Sequence, residues 1–277
     1  MTATLETETK SRLEWAVEIA RQAGDVTLEY FRNPSLLVER KGDDSPVTAA
    51  DKGAEKLLRE RIAERFADDA IVGEEYGQTP GTSGFVWVLD PIDGTKSFIH
   101  GVPLYTTLIG VLHTADGNVE SGTTQLGVIR APALDEVIYA RRGAGAWHQR
   151  GTGEPVRAAV APDRPLAEGL LVTSEVGSFR KRKSGQGMET YLELDQRARL
   201  ARTWGDAYGY MMVATGRADV AIDPEMNLWD AAALQPVIEE AGGVFGDWQG
   251  TATVHSGEAV AGNATAMREV LEVTRGK

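Results

Sequence analysis

The run Trp87-Val-Leu-Asp90-Pro-Ile-Asp93-Gly-Thr95 constrains this chain more than any other, because it drives an apolar segment straight into two carboxylates. Trp87, Val88 and Leu89 read as the end of a buried strand, Pro91 as the residue that stops its ladder, and Gly94-Thr95 as the opening of a short helix through Phe98. Side chains alternate along a strand, so aspartates three apart face opposite ways unless the turn at Pro91 swings Asp93 back beside Asp90. Two carboxylates held that close repel unless a cation lies between them. The amides of Gly94 and Thr95, at a helix start, point toward an anion at the same place. Carboxylates for a hard metal beside amides for a phosphate suggest metal-assisted phosphoryl chemistry. Asp-Pro and Asp-Gly are also ordinary turn dipeptides, so the stretch alone leaves both readings open.

At 277 residues, 42% hydrophobic and 25% charged, the chain fits a soluble protein with a large core, in one large domain or two moderate ones. It has no cysteine, which excludes disulfides, thiolate metal ligands and a cysteine-nucleophile phosphatase mechanism. A formal charge of -12 argues against a nucleic-acid or anionic-membrane partner; a phosphate substrate then requires bound cations to reverse the sign locally. No apolar run is long enough to span a bilayer, and the first residues lack an export signal, so the expected location is cytoplasmic.

Residues 1–8 read as frayed, followed by a packing helix carrying Leu13, Ala16, Val17, Ile19, Ala20 and Ala23, with Gly24 a candidate break before a continuation through Phe31. After the polar stretch 41–51, a helix runs to Phe66 with Asp51 in its first turn, a position the helix dipole favours for any carboxylate. Ile71-Val-Gly-Glu74-Glu75 is a short apolar stretch ending in two acids that sequential strand pairing can deliver to the same edge as Asp90. Strands are expected at 105–112 and 123–129, with a hairpin from 136 to 147. Gly151-Thr-Gly-Glu-Pro155 is the expected boundary between an N-terminal α+β domain, 1–150, and a C-terminal α/β domain, 151–277. Beyond it come a strand at Leu170, helices at 189–196 and 208–216, a strand ending at Asp223, and a helix from Trp229-Asp230 to Glu240. Pro236 requires a kink or a late start in that last helix. The basic run 180–183 reads as a solvated loop without function.

Mg²⁺ takes oxygen ligands in near-octahedral geometry, so several carboxylates must converge; Glu74, Asp90, Asp93 and Asp230 are the candidates. With Gly73-Glu74-Glu75, Asp90-Pro-Ile-Asp93-Gly-Thr95, Trp229-Asp230 and Pro46-Val-Thr-Ala-Ala-Asp51 in this order, the chain resembles the Mg²⁺-dependent inositol-monophosphatase-like phosphatases over nearly its whole length. The resemblance implies a layered αβαβα sugar-phosphatase-type fold of the α/β (α+β) class with two sheets, and a homodimer. It implies that Glu74, Asp90 and the Ile92 carbonyl hold one Mg²⁺, and that Asp90, Asp93 and Asp230 hold a second. Asp51 and Glu75 serve a third ion or its surroundings, Thr95 with Glu74 orients the attacking water, and the Gly94 and Thr95 amides bind phosphate. The haloacid-dehalogenase-like phosphatases place their acids two apart, not three, and leave Glu74 and Asp230 without roles.

Within that family, Lys96 to Ile109 and Thr203 to Asp219 look like the histidinol-phosphate phosphatases of histidine biosynthesis, and Trp204-Gly-Asp206 departs from the inositol enzymes. Histidinol phosphate carries an ammonium and an imidazole, groups an acidic pocket can recognise. Asp206 and Asp223 are the candidate partners for these nitrogens and Trp204 a candidate stacking surface; core packing for Trp204 and a helix cap for Asp206 are the bland alternatives. The four histidines fit no metal spacing, with His100 alone placed near the substrate. Inositol-1-monophosphatase or broad-specificity activity is the alternative, and a non-catalytic phosphometabolite-binding protein the alternative outside enzymes.

Overall fold

Alternating β-branched and small residues after position 70 build one large sheet, and a second forms after position 170. The computed structural model describes residues 3–34, 37–40, 46–115, 118–182 and 185–275. Helix α1 (Ala3–Tyr30) is followed by a ribbon of β1 (Val38–Arg40) and β2 (Pro46–Thr48), then by α2 (Ala49–Arg65). The first sheet holds β3 (Ala70–Gly73), β4 (Gly77–Thr79), β5 (Phe85–Asp93), β6 (Thr106–His113), β7 (Thr123–Ala131), β8 (Glu136–Arg141), β9 (Gly145–Arg150) and β10 (Val156–Arg157). The five-residue α3 (Thr95–Ile99) interrupts it after β5. The order is β10-β9-β8-β7-β6-β5-β3-β4, antiparallel except between β3 and β5.

The second half runs β11 (Leu170–Val172), α4 (Gly187–Arg197), β12 (Leu200–Arg202), α5 (Ala207–Ala214), β13 (Val220–Asp223), α6 (Leu228–Ala231), α7 (Leu234–Glu240), β14 (Val244–Gly246), β15 (Ala259–Gly262) and α8 (Ala264–Thr274). Its strands form a mixed sheet ordered β12-β11-β13-β15-β14. α1 and α2 bury Ile19, Leu58 and Ile62 against Trp87, Leu89 and Val128 on one face of the first sheet. On the other face α5 and α7 bury Met211, Leu234 and Val237 between Ile129 and Ile138 of the first sheet and Ala221 and Ala261 of the second. α4 and α8 cover the far side of the second sheet through Leu194, Met267 and Val270. The layers are thus α/β/α/β/α, as the resemblance implied.

Several local expectations are corrected. The first helix begins at Ala3 and passes unbroken through Gly24, which packs against Pro132. The stretch 151–155 is a turn inside the first sheet, since β10 pairs back onto β9. Of the basic run, Lys183 lies outside the described residues. Arg182 is no solvated charge: it lies 4.2 Å over the Trp248 ring and pairs with Glu258. Pro236 has its late start, because α7 begins two residues before it, where its missing N–H costs no helical bond.

Candidate metal centre and substrate cleft

Pro91 does not end the strand; β5 continues to Asp93 through a bulge, pairing Asp90 with Leu108 and Asp93 with Thr106. One extra residue reverses the alternation, so both carboxylates reach the same side, and a residue without an N–H is tolerated where the ladder is already broken. Asp90 Oδ1 accepts from the Ile92 amide at 3.0 Å, which tightens the bulge. β3 runs parallel beside β5 with Gly73 opposite Leu89, so Glu74 leaves its strand next to Asp90. Asp230 arrives from the middle layer as the third residue of α6, where it accepts from the Asn227 amide at 2.6 Å in a capping box. That layer comes close because β6 and β7 carry Gly110 and Gly127: a Cβ on Gly127 would lie 2.1 Å from the Ala233 carbonyl oxygen.

One oxygen each from Asp90, Asp93 and Asp230 lies within 4.8 Å of the other two. Glu74, Asp93 and Asp230 all lie close enough for their charges to act on the Asp90 carboxyl. Among the described residues no lysine or arginine forms an ion pair with Asp90, Asp93 or Asp230. Burial, then Glu74, Asp93 and Asp230, push the Asp90 carboxyl well above its ordinary range; burial, then Asp206 and Asp230, do the same to Asp93. Asp230 is raised to about 7, chiefly by burial. Clustered oxygen ligands with excess negative charge and no protein counter-charge fit a hard divalent cation.

The cleft above this cluster measures about 380 Å³. Ile92, Gly94 and Thr95 line it, and Thr95 Oγ1 donates to the Ile92 carbonyl at 3.1 Å. Gly94 has φ 82°, and a Cβ there would stand 2.8 Å from Asp206 Oδ2. Asp51 is engaged otherwise: its Oδ2 accepts from the Thr48 amide at 2.8 Å and hydroxyl at 2.6 Å in the capping box that starts α2. It stands outside the three-aspartate cluster, although its charge couples to Glu74 and burial raises its pKa.

Asp206 lines both the cleft and a smaller pocket of about 40 Å³ behind it. Burial, then Asp223, raise its carboxyl to about 6. It precedes α5 but makes no side-chain cap, so the bland reading fails for it; the Ala207 amide instead donates to Asp93 Oδ2 at 2.7 Å, and Thr106 Oγ1 to the same oxygen at 3.0 Å. Asp223 lines the small pocket, but its carboxylate is committed internally. Oδ1 accepts from Thr173 Oγ1, Ser174 N and Ser174 Oγ, and Oδ2 from Tyr210 Oη at 3.0 Å. Trp204 is 39% exposed and is not among the residues lining either cavity. His100, exposed, bonds the Lys96 carbonyl and stands outside the cleft lining.

The sequence reading missed Lys96, Ser174, Glu175, Lys181 and Glu225, all of which line the cleft. Lys96 pairs with Glu175 at 2.5 Å and Lys181 with Glu225 at 3.6 Å, so two ion pairs cross its rim. Two had a signal: Glu225, lying between the singled-out acids Asp223 and Asp230, and Lys181, in the basic run read as a solvated loop.

Three comparisons bear on this arrangement. The profile of the Inositol monophosphatase family matches residues 8–275. A histidinol-phosphatase from Chlorobaculum parvum is 43% identical, over 92% of this chain and 93% of that protein. One from Streptomyces coelicolor is 35% identical over 94% and 95%. Among solved structures, the extragenic suppressor protein suhB from Bartonella henselae superposes with a TM-score of 0.82 at 25% identity, covering 96% of this chain and 99% of that one.

Proposed function

We propose, from the premise that this chain belongs to the inositol monophosphatase family and is a metal-dependent phosphatase, that the ester it hydrolyses is L-histidinol phosphate, giving L-histidinol and phosphate. The observation that carries this choice is Asp206, which lines the cleft beside the three-aspartate cluster with no ion-pair partner among the described residues, whereas Glu175 and Glu225 are already paired with Lys96 and Lys181. A carboxylate raised to about 6 without a bonded cation suits an ammonium or imidazolium. Inositol offers neither group. The names of the two relatives point the same way.

In this reading Glu74, Asp90 and the Ile92 carbonyl would hold one Mg²⁺, Asp90, Asp93 and Asp230 would hold a second, and Asp51 and Glu75 would remain for a third. Bound Mg²⁺ supplies charge that neutralises phosphoryl oxygens and acidifies a nearby water. Thr95 Oγ1, already donating to Ile92 O, accepts from that water. Glu74 would help Thr95 to orient that water, and the Gly94 and Thr95 amides would hold phosphate oxygens. No covalent phosphoenzyme forms. Asp206 takes the substrate's cationic end, while Asp223 holds Ser174 and Tyr210 in place around it. We also read the two sheets with their helices as two domains meeting at the cleft, the boundary falling after β10 rather than at 151, and the protein as a cytoplasmic homodimer, which light scattering tests.

The deciding experiment compares phosphate release from histidinol phosphate and inositol 1-phosphate, with Mg²⁺ and with chelator. A large preference for histidinol phosphate that chelator abolishes is expected. A preference for inositol 1-phosphate would overturn the substrate and leave the metal centre standing.

A further inference from the structure

Glu55 is a charged residue in the apolar stripe of α2, on the face that carries Ala54, Leu58 and Ile62, and it is wholly buried. Its carboxylate is spent on the turn that follows β3. Oε2 accepts from the Glu75 amide at 2.7 Å, and Oε1 from the Tyr76 amide at 3.2 Å and from Arg59 Nε at 2.7 Å. Arg59, one helical turn on, grips the far side of the same turn through Thr79 Oγ1 at 3.0 Å and the Gly77 carbonyl. On the near side the carboxylate lies so close to Gly73 that a Cβ there would stand 2.1 Å from Oε1. Glu74 therefore sits between a glycine packed against the Glu55 carboxylate and an amide bonded to it, while its own amide donates to the Leu89 carbonyl of β5 at 3.2 Å. With the backbone clamped on both sides, the Glu74 side chain is held toward Asp90. Only a group with two acceptor oxygens satisfies both amides and the guanidinium, and Arg59 cancels its charge, so it adds nothing to the repulsion among the site acids.

We propose that Glu55 is a positioning residue that fixes Glu74 at the metal centre and thereby sets the affinity for the divalent ion. This rests on the reading of Glu74 as a ligand. Glutamine at position 55 keeps the volume but turns an NH₂ toward one of the amides, so the turn loosens while the packing stays.

The test is a calorimetric titration of the full chain with MgCl₂ alone, in wild type and Glu55→Gln, with kcat and KM then measured at saturating Mg²⁺. Removing an outer partner of a metal ligand typically weakens affinity by about 10- to 100-fold, and that shift is expected, with kcat recovered in excess Mg²⁺ and KM within about twofold of wild type. A folded Glu55→Gln protein that binds Mg²⁺ within about twofold of wild type, showing only a lower melting temperature, would overturn the proposal. If the variant does not fold, hydrogen exchange on wild type decides. Binding and clamping are linked reciprocally, so Mg²⁺ is expected to slow exchange of the Glu75 and Tyr76 amides by about tenfold, and equal exchange with and without Mg²⁺ would overturn the proposal. Absence of Mg²⁺ uptake by wild type would instead overturn the reading of the metal centre beneath it.

Discussion

Asp69 and Asp90 are 4% and 2% exposed, yet the protein treats their charges in opposite ways. Asp69 receives Arg12 through two nitrogens at 2.8 Å, with Ser83 Oγ and Trp87 Nε1 completing its shell, and Arg12 is stacked over Phe85 at 3.6 Å. Glu136 and Asp219 follow the same rule, each meeting arginine. Burial alone would raise the Glu136 carboxyl, but the His148 hydrogen bond and the charges of Arg217 and Arg150 bring it down to about 2. Asp90, Asp93 and Asp230 meet no lysine or arginine among the described residues, and their pKa values rise. The chain evidently can provide a cation for a buried acid. Where it does not, the missing charge is a place for an ion from solution.

Exchanging the two treatments gives the largest effects. Asp90→Asn is expected to lower kcat by about 10³-fold, several kcal/mol of lost charge stabilisation, while raising the melting temperature of the metal-free protein at pH 8. Activity assays and thermal unfolding in chelator check the two halves. Arg12→Met, at the other kind of site, leaves Asp69 buried and unpaired; it is expected to cost about 3 kcal/mol in denaturant unfolding and to leave the Mg²⁺ requirement unchanged.

The two groups also respond to pH with opposite signs. A carboxyl raised in the folded state binds its proton there more tightly than in the unfolded chain, so its stabilisation is present below about pH 4 and lost as pH rises through about 6 for Asp206 and about 7 for Asp230. The metal-free protein is expected to lose about 2 kcal/mol between pH 6 and 8, and saturating Mg²⁺ to abolish that loss. Glu136, lowered to about 2, contributes stability above about pH 4.5 that disappears as the pH falls toward 2. Melting curves from pH 3 to 9, with and without Mg²⁺, separate the two. Smallest is the substrate effect: Asp206→Asn is expected to reduce kcat/KM for histidinol phosphate by about tenfold relative to a phosphate ester without nitrogen, the worth of one charge-assisted hydrogen bond.

Asp90, Asp93, Glu74 and Asp230 were legible because each follows or opens a segment whose periodicity is plain, and chain order alone brings β3 beside β5. The means by which Asp93 turns back was not. A bulge and a stopped strand look alike around a proline, and only the partner strand's register separates them. Asp223 does line the small pocket, but the donors that occupy its carboxylate, from Thr173, Ser174 and Tyr210, could not be read from the sequence, while Trp204 lines neither cavity. No elements were read beyond Gly243: β14 and β15 are three and four residues long, too short for alternation to mark a strand, whereas α8, with Met267, Val270 and Leu271 at helical spacing, carried a signal that was missed. Glu55 did carry a signal: a charge inside the apolar stripe of a helix needs a partner, and here the partner is the backbone around Glu74.

The central claim, that the unpaired acids are a cation site, is tested most directly by calorimetric titration of Mg²⁺ into metal-free protein, in buffers of different ionisation enthalpy at pH 6 and pH 8. Binding at both, with more protons released at pH 6, is the expected result, because carboxyls raised by burial and mutual repulsion must lose their protons to hold the ion. Absence of binding at millimolar Mg²⁺, or binding without proton release at either pH, would contradict it.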